Sequence, residues 1–473
     1  MASSFSFGKV ELVASLDEAE APAVPDPETP FRILLMGDFR GRVSRDVGGL
    51  AGRRLVAIDR DNFDEVLDRL QPELHLRLAG QAGDPVVLRF RELDDFHPDR
   101  IAAHADIFRA LRERRRAPGR ATQTPATKPS PPGPGGDVSE LVPGNLLEQV
   151  LAAARPEAAR PREEDPWGEF LERIIAPHRV APEDPRQADQ KAGLDAAQGR
   201  LMREILHHPD FQALESNWRG LHVLTSRLET DARLTLTLLD VTRAELAEDL
   251  GAADPRTSAL HKLLVGTEGH PWAVIVGALT LEPTADDTDL LAHLAALARR
   301  AEAPFLAAAS PRFVGCDSIA ATPDPDDWSL APDSQGAREA LRRHPDAAYL
   351  GLALPRFLLR LPYGRDGEPI EAFAFEELPE DPDHEAYLWG NPAFALAESL
   401  GRGFREDGWH LRPGRVGEIE GLPTYVERRG GEPLVKPCAE ANLGQRAAEV
   451  LIDAGLMPLL SLRDQDVIRI GRF

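Results

Sequence analysis

The sequence predicts an α/β (α+β) fold in which a small N-terminal α/β unit is joined by a disordered linker to a larger domain. The larger domain is expected to be a mixed, largely parallel sheet covered by helices. Two near-continuous apolar runs, at residues 31–36 and 272–281, are typical of strands buried on both faces. Strand and helix patterns alternate along the second half of the chain, which favours a parallel sheet between helices. Residues 117–136 are rich in Pro, Gly, Ser and Thr and offer no apolar face to bury.

The N-terminal unit begins with the strand at residues 31–36, which a turn at Gly37 and Asp38 closes. A helix is predicted over residues 63–70, because Asp61 and Asn62, followed by Glu65, resemble an N-cap with its capping partner. The unit is completed by a hairpin of strands at residues 74–78 and 86–90, and by a last helix that Asp94-Asp95 caps and that carries Ile101, Ala105, Phe108 and Leu111 on one face.

The C-terminal unit alternates more regularly between strands and helices. Leu234, Leu236 and Leu238 mark a strand, and a capping box of Thr242 and Glu245 opens the helix behind it. The further elements predicted are strands at residues 272–281, 305–309 and 348–354, a helix at residues 287–301, and a terminal hairpin at residues 459–462 and 467–470.

Composition excludes several classes of protein. The 473 residues include 55 Lys and Arg against 78 Asp and Glu, so the formal net charge is −23 and nucleic-acid binding is not expected. Two cysteines, Cys316 and Cys438, leave no disulfide framework. Since no apolar stretch is long enough to cross a membrane and the N-terminus lacks the regions of an export signal, we expect no membrane insertion and a cytoplasmic location.

Motifs that carry chemistry are incomplete in this chain. The turn at residues 37–42 lacks the Lys and hydroxyl residue of a phosphate-binding loop, so it is interpreted as a strand-ending turn with a salt-bridging Asp38. His384 and Glu385 begin like a zinc-protease helix, but Leu388 stands where the second histidine is required.

The other polar candidates have simpler interpretations. His207 and His208 stand before Pro209 and are interpreted as a helix end. Ser310 lacks the flanking glycines of a nucleophile elbow. Acidic pairs are common in so acidic a chain, and they are Asp94-Asp95, Asp286-Asp287, Asp326-Asp327 and Glu376-Glu377. The sequence therefore predicts no catalytic residue, metal site or cofactor.

Two sets of segments resemble the two subunits of the type VI secretion contractile sheath. The small subunit, called TssB or VipA, is resembled by residues 31–42 (FRILLMGDFRGR), 56–70 (VAIDRDNFDEVLDRL) and 90–100 (FRELDDFHPDR). The large subunit, called TssC or VipB, is resembled by residues 204–224, 303–311, 349–364, 376–377, 387–396, 436–440 and 456–458. Several of these strings are long and all are ordered along the chain, so the chain is similar to a fusion of both subunits.

The resemblance implies how the chain is divided and what it does. It implies an N-terminal extension (1–30), a TssB-like domain (31–116), a Pro/Gly-rich linker with a short helix near 145–154 (117–164), and a TssC-like domain (165–473) that is C-terminally short for the family. It also implies a structural protein and not an enzyme. Such a subunit polymerises with copies of itself around an inner tube protein, contracts on a signal from baseplate components, and is disassembled by an AAA+ ATPase.

A short apolar stripe lies between two Pro-rich stretches of the linker. It consists of Leu147, Val150 and Leu151, next to Leu146. It resembles the segment of the large subunit that the disassembly ATPase grips, and an isolated helix so short is marginal without a partner. We interpret residues 146–154 as a docking helix bound in a groove, with permanent packing on the body as the alternative.

Terminal segments are candidates for strand exchange, because terminal strands in this family complete sheets in neighbouring subunits. The residues concerned are Phe5, Phe7, Val10 and Leu12 near the N-terminus and Val467, Ile468 and Ile470 near the C-terminus. An unpaired strand edge needs a partner, which favours donation of residues 4–13. Local order or disorder of that strip is the alternative.

Two other functions stay open from the sequence. The first is a sheath-like cap or baseplate adaptor that does not polymerise, for which the short C-terminal portion is the main argument. The second is a hydrolase that uses a histidine with an Asp or Glu pair. A hydrolase would lose its activity on change of one His or carboxylate, whereas a sheath would respond to changes at strand edges.

Overall fold

A computed structural model describes residues 25–45, 49–50, 52–79, 84–109, 111, 185–252, 255–265, 271–379, 382–429 and 432–472. The strands are β1 (Phe31–Gly37), β2 (Val56–Ile58), β3 (Glu73–Leu76), β4 (Val86–Arg89), β5 (Leu234–Asp240), β6 (Val274–Leu281), β7 (Phe305–Ala309), β8 (Leu350–Leu354), β9 (Phe357–Leu358), β10 (Trp389–Gly390), β11 (Glu418–Ile419), β12 (Val426–Arg429), β13 (Glu432–Val435), β14 (Met457–Ser461) and β15 (Ile468–Ile470). The α-helices are α1 (Phe63–Leu70), α2 (Pro98–His104), α3 (Pro185–Leu206), α4 (Pro209–Arg227), α5 (Arg243–Leu250), α6 (Ala259–Leu264), α7 (Ala285–Arg300), α8 (Pro332–Arg343), α9 (Pro392–Asp407) and α10 (Gln445–Asp453).

The main sheet has nine strands in the order β11-β15-β14-β8-β7-β6-β1-β5-β2. Its central strands β14, β8, β7, β6, β1 and β5 run parallel, whereas β2 at one end and β15 and β11 at the other run antiparallel to their neighbours. Helices join most of the parallel strands, as crossover connections require. The predicted mixed, largely parallel sheet covered by helices is confirmed.

Strand β1 is supplied by the first part of the chain and lies inside the sheet of the second part. We call residues 31–111 the N-terminal half and residues 185–472 the C-terminal half. β1 pairs with β5 from Phe31 opposite Leu234 onward, and with β6 from Ile33 opposite Val274 onward. The two halves that the sequence separates along the chain therefore build one sheet together.

Side chains of β1 alternate between two hydrophobic cores, one on each face of the sheet. Ile33 and Leu35 enter the first core with residues of α4 and α9, and Leu34 and Met36 enter the second core with residues of α5, α6 and α7. All four are at most 1% exposed. Burial on both faces explains why the sequence of β1 is a continuous apolar run and not an alternating one.

The N-terminal half confirms most predicted elements and corrects one. Strands β3 and β4 form the predicted antiparallel hairpin. The last helix does not begin at Asp94-Asp95, which lie in a 3-10 turn (Leu93–Phe96); α2 begins at Pro98, and the His97 side chain accepts the Asp99 N–H. Proline suits the first helical position but pushes the residue before it into an extended conformation, so the helix cannot run through residue 97.

Helix α1 begins where the sequence predicts it, but its cap differs. The Asn62 side chain makes no capping bond to α1, and its Oδ1 accepts the Asp59 N–H at 3.0 Å instead. Asx side chains bond to nearby backbone in turns as readily as at helix starts. The predicted partnership of Asn62 with Glu65 is therefore wrong, although the helix boundary is right.

The C-terminal half follows the predicted order of elements. The capping box of Thr242 and Glu245 opens α5, and its reciprocal hydrogen bonds are both present. β6, β7, β8 and α7 occupy the predicted regions, and β14 and β15 form the predicted terminal hairpin. Helix α3 ends at Leu206 and α4 begins at Pro209, where the His208 side chain accepts the Asp210 N–H, so the predicted helix end before Pro209 is confirmed.

Candidate functional site at the joint between the two halves

The turn after β1 is organised by one carboxylate. The Asp38 side chain accepts the backbone N–H groups of Arg40, Arg42 and Val43, at 3.2, 3.0 and 2.9 Å. This arrangement confirms a strand-ending turn at residues 37–42. The predicted salt bridge is formed not by Asp38 but by Arg42, whose guanidinium pairs with acidic residues of the C-terminal half.

Two arginines of the N-terminal half bind two acids of the C-terminal half. Arg42 Nε lies 3.0 Å from Asp240 Oδ2, and Arg42 Nη1 bonds to Glu245. Arg53 lies 2.5 Å from the same Asp240 oxygen and 3.2 Å from Glu245 Oε1. Asp240 ends β5 and Glu245 lies in the first turn of α5, so this cluster fastens the turn after β1 to the carboxyl end of its neighbouring strand.

Burial and the neighbouring positive charges shift the carboxyl pKa values of this cluster in opposite directions. Burial raises the pKa of Asp240, and the Arg42 charge offsets that effect only in part. Burial also disfavours the charged form of Glu245, but the hydrogen bonds from Arg42 and from the Thr242 N–H outweigh it and lower the Glu245 pKa. Arg42 is 2% exposed. Removing one member of such a pair leaves a buried charge without its partner, which costs about 3–5 kcal/mol.

Helix α4 holds the same turn from the other face of the sheet. Trp218 Nε1 donates to the Phe39 carbonyl at 2.9 Å, and Asn217 Nδ2 donates to the Asp38 carbonyl at 3.1 Å. The Phe39 ring meets the Trp218 ring edge-on, with centroids 5.5 Å apart. Trp218 is 0% exposed, so its indole N–H needs a partner inside the protein, and the turn supplies that partner.

A second contact joins α2 to the loop after β9. The Asp99 carboxylate, in the first turn of α2, accepts the backbone N–H groups of Glu371 and Ala372. The His97 ring meets the Tyr363 ring edge-on at 4.9 Å between centroids. These contacts tie the last helix of the N-terminal half to the C-terminal half at a place remote from β1 in sequence.

A buried ion-pair network lies under this loop. Arg360 bonds to Glu215 of α4 through Nε at 2.9 Å and to Glu377 through Nη1 and Nη2 at 2.8 and 2.9 Å. Arg219 Nε also bonds to Glu215, at 2.7 Å. Glu215 is 0% and Glu377 1% exposed. Burial opposes the ionisation of Glu215, but the charges of Arg360 and Arg219 outweigh it and lower the pKa of Glu215.

The histidine motif at residue 384 belongs to a third ion cluster. His384, Glu385 and Glu440 bring ligand atoms within 4.8 Å of one another, although their spacing in the sequence is not that of a metal site. Arg356 lies among them, 2.8 Å from Glu385 and 2.5 Å from Glu440. Burial opposes the charged form of Glu440, but the bonds from His384 and Arg356 lower its pKa to about 2. The guanidinium thus supplies the positive charge that a metal ion would otherwise supply.

The remaining sequence candidates have local structural roles. Ser310 caps a 3-10 turn by accepting the Arg312 N–H. Cys316 and Cys438 are buried free thiols. The Cys316 thiol contacts the Thr322 hydroxyl, and the backbone N–H of Cys438 donates to the Ser461 hydroxyl.

Side chains cover the outer edge of β11, at one end of the main sheet. At β11 the Gly417 carbonyl accepts the Ile470 N–H, whereas the outward carbonyl of Glu418 accepts Arg402 Nη1 at 3.0 Å. Arg227 covers the next outward carbonyl, that of Glu420, at 2.7 Å. Side chains thus occupy acceptors that an added strand would need at this end.

Of the three predicted sets of interaction residues, one lies in the described part of the chain and two lie outside it. Ile468 and Ile470 lie in β15 and Val467 stands directly before it, and β15 is paired on both sides, with β14 and β11. The N-terminal candidates Phe5, Phe7, Val10 and Leu12 and the docking-helix candidates Leu146, Leu147, Val150 and Leu151 lie outside the described residues. Their roles stay predictions.

Sequence reasoning missed Arg42 of the joint and Arg360 of the buried network in the C-terminal half. A signal was present for Arg360, which interrupts the apolar run from Phe357 to Leu361 and is therefore a candidate for a buried cation. Arg42 carried no such signal, because its acidic partners lie about 200 residues away along the chain. Within the described residues no helix is long and apolar enough to cross a membrane.

Comparison with protein families finds a match for each half. The family described as "EvpB/VC_A0108, tail sheath N-terminal domain" matches residues 189–470. The family described as "Type VI secretion system, VipA, VC_A0107 or Hcp2" matches residues 15–118. The first match covers more than half of the chain.

Two curated relatives come from Pseudomonas aeruginosa strain PAO1. The type VI secretion system sheath protein TssC1 is 38% identical over 291 residues, which are 58% of this chain and 58% of that protein. The type VI secretion system sheath protein TssB1 is 26% identical over 143 residues, which are 29% of this chain and 79% of that protein. The chain therefore spans less than two thirds of the length of TssC1. With a VipA domain and a VipB domain in one polypeptide, the chain belongs to the type VI secretion sheath family as a fusion of the TssB and TssC types.

Proposed function

We propose that the chain is a structural subunit of a type VI secretion contractile sheath, which polymerises around an inner tube and contracts to drive the tube into a target cell. The observation that carries the proposal is the shared sheet: two sheath domains that are separate proteins among the curated relatives build one body here, with β1 between β5 and β6. Such a body suits rigid-body rotation at interfaces between subunits. The proposed role is mechanical and not enzymatic, and the proposed location is the cytoplasm.

The partners in this proposal are copies of the same chain, the inner tube protein, baseplate components and an AAA+ disassembly ATPase. Fusion fixes a one-to-one ratio of the two halves and keeps them at high effective concentration. Arg42 and Arg53 form ion pairs with the C-terminal half, which supports an obligate association of the two halves. Separating the halves would leave buried charges without partners.

We assign strand exchange between subunits to the N-terminal strip, residues 4–13, in preference to the C-terminal hairpin. β15 already has a partner on each edge, so exchange through Val467, Ile468 and Ile470 would first require β11 or β14 to leave. Deleting residues 2–14 is expected to abolish tubule formation while leaving the urea midpoint of the folded body unchanged. A deletion variant that still forms tubules would contradict the assignment.

The ATPase-docking role is assigned to residues 146–154. Their deletion is expected to leave tubules intact and to stop their ATPase-driven disassembly. The two deletions form a matched pair. Deleting residues 2–14 is expected to prevent assembly, whereas deleting residues 146–154 is expected to prevent only disassembly. Disassembly at the normal rate after deletion of residues 146–154 would contradict the docking role.

Negative-stain electron microscopy of the purified full-length chain, alone and mixed with its cognate tube protein, tests the proposal directly. Hollow tubules with a regular cogwheel cross-section are the expected result. Monodisperse particles under both conditions would contradict a polymerising sheath and favour the cap or baseplate adaptor.

A further inference from the structure

A cavity of about 680 Å³ lies beside the joint, and residues of both halves line it. The N-terminal half contributes the turn after β1, the loop before β2, β2 itself and helix α1, and the C-terminal half contributes Leu238 and Asp240 of β5. Small-molecule sites in proteins usually have volumes of about 300–1,000 Å³. The cavity therefore has the size of a ligand site, and it is complete only when the two halves are together.

Positively charged side chains dominate the lining of this cavity. Its charged residues are four arginines and two acids, namely Arg40, Arg53, Arg54, Arg69, Glu65 and Asp240. Four positive charges against two negative ones leave a formal charge of +2, in a chain whose net charge is −23. The charge of Asp240 is already offset by Arg42 and Arg53, which both pair with it. The cavity is therefore a basic site on an acidic protein.

Three of these arginines have no acidic partner among the described residues. Within that part of the chain, the side chains of Arg40, Arg54 and Arg69 make no hydrogen bond or ion pair. Arg40 Nε is buried, although buried polar atoms nearly always have a partner. The Arg40 backbone is held on both sides, because its N–H donates to Asp38 at 3.2 Å and its carbonyl accepts the Glu73 N–H at 3.2 Å. A cation is thus held at the cavity without an acceptor for its N–H groups.

The rest of the lining is largely apolar. Val66 and Leu238 are buried, and Val56 and Leu70 are half-buried. Apolar surroundings strengthen the attraction between opposite charges, and the guanidinium fork matches the oxygens of a phosphate group. A phosphate monoester carries a charge of about −1.5 to −2 at pH 7 and three acceptor oxygens. It therefore suits a site of charge +2 with three unpaired arginines better than a carboxylate, which carries one charge on two oxygens.

We propose that this cavity binds the phosphate group of a small organic phosphate. Arg40, Arg54 and Arg69 bind the phosphate oxygens, and the apolar lining contacts the organic part of the ligand. Because both halves line the cavity, the ligand binds the joined body and stabilises it against unfolding. The site does not depend on the mechanical role proposed above.

Isothermal titration calorimetry of the purified full-length chain with phenyl phosphate, at pH 7 and constant ionic strength, tests the proposal. Binding is expected with a dissociation constant of roughly 1 mM or tighter. Arg40→Met is expected to weaken binding about tenfold, since it removes hydrogen bonds to a charged group. Arg54→Met should also weaken binding, and because Arg54 is exposed this variant decides the question if Arg40→Met does not fold. Arg412→Met is the matched control, because Arg412 is an exposed arginine outside the lining of the cavity.

Three results would overturn the proposal. The first is that phenyl phosphate does not bind the unchanged chain. The second is that Arg412→Met weakens binding as much as Arg40→Met and Arg54→Met do, which would indicate non-specific attraction. The third is that malonate, a dicarboxylate, binds as tightly as phenyl phosphate, which would assign the cavity to acidic side chains of a partner protein. The titration needs no tubules, so its outcome is separate from that of the proposed function.

Discussion

Replacing Arg360 by Met removes the cation that two buried carboxylates share. Glu215 and Glu377 are 0% and 1% exposed, and Arg360 donates to both of them at 2.8–2.9 Å. Breaking a buried pair by removing one partner costs about 3–5 kcal/mol. Arg219 stays bonded to Glu215 at 2.7 Å, so we expect a loss near the lower end, about 3 kcal/mol in the free energy of unfolding.

The assay is urea denaturation at pH 7, followed by tryptophan fluorescence. The variant is expected to show a lower midpoint with an unchanged slope, which indicates a change in stability and not in the surface exposed on unfolding. Arg405→Met is the matched control, because Arg405 pairs with the exposed Glu229 and Asp231. Exposed pairs contribute less than about 1 kcal/mol, so the control midpoint should hardly move.

The pH dependence separates lost charge from lost packing. The pKa of Glu215 is lowered in the folded chain, so its contribution to stability is present above the unfolded value of about 4.3 and is lost as the pH falls through the folded pKa. Without Arg360, burial acts on Glu215 against a weaker countercharge, and the variant takes up a proton more readily. The deficit should therefore shrink as the pH is lowered below about 4.5, toward the folded pKa of Glu215. A deficit that equals the control's, or that is constant with pH, would refute this reasoning.

Three further changes test the packing and charges of the same body. Trp218→Phe removes the indole bond to the turn after β1 and should cost about 1–3 kcal/mol by urea denaturation, and an unchanged midpoint would show that this bond is not needed. Gly220→Ala places a Cβ 2.5 Å from the Phe394 ring and should lower the melting temperature, with a cost of about 1–3 kcal/mol. Gly193→Ala is its control, because nothing lies within 4 Å of the added Cβ and the helix should be as stable or slightly more so; equal losses would contradict the packing argument. Glu440→Gln should reduce the free energy of unfolding by roughly 2–4 kcal/mol at pH 7, since the pKa of this carboxyl is held at about 2, and the deficit should vanish as the pH falls from about 4.5 to 2 in urea titrations.

Local elements could be predicted because their signals lie within a few residues of each other. The apolar run of β1 and the capping box of Thr242 and Glu245 need only short-range sequence, and both are present in the structure. At the last helix of the N-terminal half, two local start signals compete. Asp94-Asp95 is a good cap in isolation, but Pro98 determines where α2 begins, because its ring fixes the backbone of the residue before it.

The candidate site could be predicted only in part. The sequence indicated a turn at residues 37–42 and a salt bridge there, but it placed the salt bridge on Asp38. The partners of Arg42 are Asp240 and Glu245, and no local pattern links residues so far apart. The family resemblance indicated the function without indicating these contacts.

The types and order of most elements, the family resemblance and the acidic character of the chain can all be read from the residues alone, since each depends on composition or on spacing over a few residues. The position of β1 between β5 and β6, and the pairing of cations of one half with acids of the other, emerge only in the folded chain. Parallel strands have no turn to specify their neighbour. Their order is selected by the burial of both faces and by pairing of buried charges, and both depend on the whole fold.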